Sequence, residues 1–192
     1  MIWHPGRNQW LRDLVGEKRL PPTGYIVGIS LAGGQAAEAA RLPRLQAIQI
    51  YDEVSDRDLN RLATLPQLDY LDLSGAELRP DRGTWFDSSD YRHEYPLALP
   101  RLKRLDAPGT VLQGADLAGC TGIVELDLSR TVVDQNSAIT LGSLTSLRVL
   151  TLRGSTLDDA GLEHLATLKS LTTLDISGTR VTDAGLPHLH AL

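Results

Sequence analysis

The stretch Leu171-Thr172-Thr173-Leu174-Asp175-Ile176-Ser177-Gly178-Thr179-Arg180-Val181-Thr182-Asp183-Ala184-Gly185-Leu186-Pro187-His188-Leu189 decides the fold. With Leu192, its apolar positions are Leu171, Leu174, Ile176, Val181, Leu186 and Leu189. A shift of 24 residues upstream lands on Leu147, Leu150, Leu152, Leu157, Leu162, Leu165 and Leu168. A second shift lands on Ile123, Leu126, Leu128, Val133, Ala138, Leu141 and Leu144. Three consecutive units that share seven slots make an internal repeat. Within each unit the period changes: Leu174-Asp175-Ile176 alternates as a half-buried strand does, whereas Leu186 and Leu189 are spaced by three, as in a helix or 3₁₀ turn. Thr182 or Asp183 stands ahead of that second element as its N-cap, and Pro187 is acceptable only in a first turn. Each unit therefore reads as a short strand, a turn and a short helix. Neither element buries its apolar face alone, so the units must stack.

Working outward, the slots continue with changed spacing. Leu102, Leu105, Ala107 and Leu112 form a unit 21 residues before Ile123, and Leu68, Leu71, Leu73 and Leu78 form one 34 residues before that. Leu45, Ile48, Ile50 and Val54, followed by Leu59, Leu62 and Leu65, form the unit before it. A degenerate first unit holds Val27 and Ile29, ahead of the Ala-rich 33–40. This makes six clear units and one weak one. The repeat accounts for a core in which 35 of 192 residues are Leu, against one Phe, one Met and one Cys.

The pattern resembles the leucine-rich repeat family, whose core is Leu-x-x-Leu-x-Leu-x-x-Asn/Cys-x-Leu. Here it reads Leu171-x-x-Leu174-x-Ile176-x-x-Thr179-x-Val181, with Thr110, Thr131 and Ser155 in the place of Thr179 in neighbouring units. Asp-Ala-Gly-Leu at 159–162 and 183–186 is similar to a Thr-Asp-Ala-Gly-Leu segment of bacterial repeats akin to the ribonuclease-inhibitor and cysteine-containing subtypes. The resemblance covers about residues 24–192. It implies an α/β solenoid, or horseshoe, with a parallel sheet on the concave face and short helices on the convex face, acting as a recognition scaffold rather than an enzyme. Residues 1–23 are expected to form an N-terminal helical cap, since Trp10, Leu11, Leu14 and Val15 have helical spacing. The array then runs over 24–192, with an insertion at 79–98.

Composition mostly excludes. With 42% hydrophobic and 22% charged residues the chain is a folded one. A net charge of -5 argues against a nucleic-acid partner. No apolar run reaches the roughly 18 residues of a membrane span, so no membrane partner is expected. Residues 1–8 lack an apolar signal-peptide core, which points to the cytoplasm and leaves open secretion by a signal-less route. No catalytic constellation, metal site or cofactor motif stands out. Cys120 shares the inward register of Leu144 and Leu168, and His164 and His188 are register equivalents without a further ligand.

Two regions are candidates for binding. Pleat alternation turns the residues between the leucines toward the concave face. Its columns run Ala47, Gln49, Tyr51; Tyr70, Asp72, Ser74; Arg104, Asp106, Pro108; Glu125, Asp127, Ser129; Val149, Thr151, Arg153; and Thr173, Asp175, Ser177. The candidates there are Tyr51, Tyr70, Asp72, Arg104, Asp106, Asp127, Arg153 and Asp175. Side by side on consecutive strands, Asp72, Asp106 and Asp127 would repel and raise pKa values. They read either as an acidic stripe for a basic protein partner or as routine repeat residues neutralised by Arg104 and Arg153. The second region is the insertion, where Trp85, Phe86, Tyr91, Arg92 and Tyr95 have the composition of a binding hot spot. The alternative there is a structural plug, with Trp85 and Phe86 folded against the convex layer. Finally, Leu174, Ile176, Val181 and Leu186 border a bare face, which raises a homodimer or chain continuation through the uncapped last repeat. The leading expectation is a non-enzymatic protein-binding module. The alternative is a targeting or adaptor segment of a larger bacterial effector or signalling protein whose activity lies outside this chain.

Overall fold

The computed structural model describes residues 28–31, 39–42, 44–51, 53–79, 97, 99–110 and 114–191. The 1–23 cap therefore lies outside the described residues, as do 80–96 and 98 of the insertion. Seven strands form one parallel sheet: β1 (Gly28–Leu31), β2 (Ala47–Ile50), β4 (Tyr70–Asp72), β6 (Arg104–Asp106), β7 (Glu125–Asp127), β8 (Val149–Thr151) and β9 (Thr173–Asp175). They follow one another in chain order without a crossover, as successive units of a solenoid must. The register agrees with the repeat: Ile48, Leu71, Leu105, Leu126, Leu150 and Leu174 pair across the sheet in one row.

The inward row and its neighbours Leu73, Ala107, Leu128 and Leu152 are buried, and together with Leu59, Leu62, Leu117, Leu141, Leu162 and Leu165 from the opposite layer they make one continuous core. That layer holds α1 (Asp56–Leu62), a 3₁₀ helix at Gly114–Gly119, α2 (Gln135–Ser143), α3 (Asp159–Leu165) and a 3₁₀ helix at Leu186–Ala191. The helices are short, and each α-helix begins on a polar cap that satisfies a free N–H. Ser55 and Asp58 form a capping box for α1, the Asp134 carboxylate accepts from the Ser137 N–H for α2, and Asp158 accepts from the Gly161 N–H for α3. In the last unit Thr182, rather than Asp183, takes that role: its Oγ1 accepts from the Ala184 N–H at 3.2 Å, and Pro187 is the second residue of the 3₁₀ helix. One element is unexpected. β3 (Glu53–Ser55) and β5 (Glu77–Arg79) pair as a separate two-stranded parallel sheet, with Val54 opposite Leu78.

Five strands, β4 and β6 to β9, leave the sheet through the same turn. Gly75, Gly109, Gly154 and Gly178 have φ between 65° and 80°, and Arg130 takes their place with φ 58°. The hydroxyls of the Asn/Cys position lie just beyond, and they do relieve buried backbone. Thr110 Oγ1 donates to Ala107 O at 2.9 Å, Thr131 to Leu128 O at 2.7 Å and Thr179 to Ile176 O at 2.7 Å, whereas Ser155 Oγ accepts from the Leu157 N–H.

Candidate functional site

The parallel register brings the outward residues into two rows. The first runs Ala47, Tyr70, Arg104, Glu125, Val149, Thr173, and the second Gln49, Asp72, Asp106, Asp127, Thr151, Asp175. At their centre is a connected polar network. Tyr70 Oη donates to Asp106 Oδ2 at 2.8 Å, and the Arg104 guanidinium donates to Asp106 through Nε and Nη2 and to Glu125 Oε2 at 3.3 Å through Nη1. The same guanidinium lies 5.1 Å from the centroid of the Tyr70 ring, within cation–π range. Gln49 Nε2 donates to Asp72 Oδ2 at 2.9 Å on the neighbouring strand. Partial burial, the hydrogen bond to Asp106 and the charges of Asp106 and Asp72 push the Tyr70 phenol up to about 12, so it stays a donor. The hydrogen bond to Asp106 likewise raises the pKa of Arg104 and keeps it cationic.

The aspartates have a second task. Asp72 Oδ1 accepts from the Ser74 N–H at 2.8 Å, Asp127 Oδ1 from the Ser129 N–H at 2.8 Å and Asp175 Oδ1 from the Ser177 N–H at 2.9 Å. Each closes an Asx turn at the exit of its strand. Asp175 stands beside Thr151 rather than another aspartate. Its carboxyl is held below the usual carboxylate range by Ser177, whose side chain and N–H both donate to it, with a smaller contribution from Arg153. Ser129, placed in the outer column by alternation, is buried, because its hydroxyl turns back to Asp127 Oδ1 at 2.6 Å. Asp127 Oδ2 accepts no hydrogen bond among the described residues.

Of the candidates read from the sequence, Tyr70, Asp72, Asp106, Asp127 and Asp175 are half-buried on this face, and Arg104 and Arg153 are exposed. Tyr51, just past β2, is 55% exposed. Trp85, Phe86, Tyr91, Arg92 and Tyr95 lie outside the described residues. Glu125 joins the network through Arg104, and Gln49 pairs with Asp72 on the neighbouring strand; only their place in the rows could have marked them. Elsewhere, Cys120 is buried against Leu97 O at 3.5 Å, and burial pushes its thiol up to about 11. A thiol in that state is a core residue and not a nucleophile. Among the described residues no three His, Cys, Asp or Glu side chains converge as metal ligands, and no helix is long and apolar enough to cross a membrane.

Strand, turn and short helix in a fixed register, with leucines inside and a hydroxyl column beneath the turn, define a leucine-rich-repeat solenoid. The model of the family described as Leucine Rich repeat matches residues 167–186, from the end of the sixth unit into the last. The chain has the leucine-rich-repeat fold. Among solved structures it is similar to internalin C2 from Listeria monocytogenes str. 4b F2365, with 22% identity, a TM-score of 0.61 and 86% of this chain covered. It also matches internalin F from the same strain, with 22% identity, a TM-score of 0.49 and 81% of this chain covered. TLR13 in its complex with ssRNA13 matches with 18% identity, a TM-score of 0.50 and 81% of this chain covered. The chain spans 68% of internalin C2, 48% of internalin F and 25% of TLR13. No curated protein matches the sequence.

Proposed function

We propose that the chain is a non-enzymatic module that binds a protein partner through its strand face, with the 79–98 insertion contributing beside it. The observation that supports this reading best is the Tyr70–Arg104–Asp106–Glu125 network. An aromatic ring and a guanidinium, the residue types that dominate binding hot spots, are held in place by their neighbours while still facing solvent. Five carboxylates on this face (Asp72, Asp106, Glu125, Asp127, Asp175) outweigh Arg104 and Arg153, which favours a basic protein surface over a phosphate backbone. Because the chain spans only part of its structural neighbours, its place as a targeting or adaptor segment of a larger protein is a second reading.

The test is a comparative pull-down at low and high salt, with captured proteins quantified by mass spectrometry. Tyr70→Ala should weaken capture by roughly ten-fold or more, as loss of a hot-spot residue does. Asp127→Asn, which keeps the Oδ1 acceptor for its turn, should weaken it several-fold, and only at low salt. Arg104→Ala should also weaken capture, since it removes the second hot-spot group and the cation against the Tyr70 ring. Capture that ignores salt and all three substitutions would sink the strand-face reading, and dependence on a 79–98 deletion alone would move the site to the insertion.

A further inference from the structure

The exits from the main sheet after β4, β6 and β9 repeat one short pattern. Asp72-Leu73-Ser74-Gly75 and Asp175-Ile176-Ser177-Gly178 turn an acid and a serine outward and end on glycine, and Asp106-Ala107-Pro108-Gly109 departs from this outward set only at Pro108. The two exits between them break the pattern more heavily. β7 ends on Asp127-Leu128-Ser129-Arg130, and β8 on Thr151-Leu152-Arg153-Gly154. Arg130, Thr151 and Arg153 therefore all fall at one boundary between adjacent repeats. They also reverse the local charge. The exits of β4, β6 and β9 carry an acid and no base, whereas that of β8 carries Arg153 and no acid.

The fold brings the two arginines together. The Arg130 N–H donates to Arg153 O at 2.8 Å. A Cβ on Gly154 would stand 3.4 Å from Arg130 Cγ, so the Arg130 stem runs over the bare turn of the next repeat, beside Arg153. Arg130 holds this place with φ 58°, a left-handed conformation that the equivalent turns give to glycine. Nothing inside the fold offsets that strain. Arg130 and Arg153 are exposed, and neither side chain makes a hydrogen bond or a contact ion pair among the described residues. Thr151 is half-buried, and its hydroxyl makes no hydrogen bond among the described residues either. Strain kept at an exposed arginine that the fold does not use points to a partner outside the fold.

We propose that Arg130 and Arg153 bind a carboxylate of the protein partner, with the Thr151 hydroxyl as a further donor; the assignment rests on the strand-face reading above. Guanidinium forks match the geometry of a carboxylate. Asp127 and Asp175 flank the pair on the neighbouring exits, so a singly charged carboxylate is favoured over a phosphate dianion, which both would repel more strongly. The open Oδ2 of Asp127 takes a lysine or arginine of the same partner. The partner segment thus carries an acidic and a basic side chain about 4.8 Å apart, one strand spacing.

Arg130→Gly and Arg153→Ser together return both positions to the repeat pattern and leave the leucine core untouched. A random peptide library displayed on phage is selected on the wild-type full chain and on this double variant. The wild type should enrich peptides that hold both acidic and basic residues, and the variant peptides that hold basic ones alone. In a synthetic copy of an enriched peptide, exchanging the acidic residue for its amide should weaken binding to the wild type roughly ten-fold, the order for a lost charge-assisted hydrogen bond, and leave binding to the variant unchanged. Enrichment of basic residues alone by the wild type overturns the carboxylate site and leaves the strand-face reading standing, whereas enrichment of neither sign overturns both. An amide exchange that costs the same on both chains puts the acidic residue elsewhere and overturns the proposal. Displacement of the peptide by inorganic phosphate but not by acetate, at equal ionic strength, marks a phosphate site and overturns it too.

Discussion

The sixth and seventh repeats differ in almost nothing that a sequence pattern records, yet they are different physical objects. Leu150, Leu152 and Leu157 are closed off from water on all sides, whereas Leu174, Ile176 and Val181, their equivalents 24 residues on, remain partly exposed. The strands β8 and β9 have the same length and the same turn. What separates them is a neighbour. A repeat supplies half of a core, and only the next repeat closes it, so burial in this fold belongs to the boundary between units and not to the unit.

The sharpest way to probe that difference is to remove the same side chain on both sides of it. Leu150→Ala should cost about 3–4 kcal/mol, the range for a fully buried leucine that leaves a cavity. Leu174→Ala should cost about 1 kcal/mol, since less area leaves water and solvent can fill the gap. Equal losses in denaturant melts would mean that the last repeat is as tightly closed as the sixth.

A polar clip at the same boundary gives a smaller effect with a defined pH dependence. Asp159 of α3 accepts from the Thr182 N–H through Oδ1 and from Thr182 Oγ1 through Oδ2, both at 2.7 Å. These hydrogen bonds hold the Asp159 carboxyl below its ordinary value of 3.8. A folded pKa below the unfolded one contributes stability above about pH 4, and that stability is lost as pH falls through the lowered value. Amides of 173–185 should therefore lose protection from hydrogen exchange below pH 4, while those of 123–150 keep theirs. Asp159→Ala should expose 173–185 several-fold at neutral pH. Exchange that stays uniform across both repeats would remove the clip from the account.

The smallest effect concerns the turn column. Arg130 has φ 58° where neighbouring units have glycine. A left-handed non-glycine residue costs about 1–2 kcal/mol, and glycine in its place adds about 0.5–1 kcal/mol of chain entropy to the unfolded state. Arg130→Gly should therefore stabilise the protein by less than about 1 kcal/mol, read as a small rise in melting temperature. Gly154→Ala, in the same turn one repeat later, should do the reverse.

Much of this was open to a reader of the sequence. Seven slots at a 24-residue period are enough to name the strands, align Asp72, Asp106 and Asp127 in one row and place Cys120 indoors. The period transmits because each unit sees nearly the same surroundings. The β3–β5 pair was hidden, since Val54 and Leu78 look like ordinary slots until the two segments are seen side by side. The double role of the aspartates was hidden as well: an Asp two residues before a Ser reads as surface charge until its oxygen is found on the Ser N–H.

The order of the strands, their register, the inward leucines and the hydroxyl column follow from the sequence alone, because they depend only on spacing repeated often enough to exclude other readings. The tertiary structure alone decided which polar groups spend themselves on their own fold. Asp106 is taken up by Tyr70 and Arg104, and Asp159 by Thr182 of the next repeat, close against Gly185, where a Cβ would strike the carboxylate. Asp127 keeps an oxygen to offer. The physical reason is distance: Tyr70 and Asp106, 36 residues apart in the chain, and Asp159 and Thr182, 23 apart, meet only once the repeats are stacked.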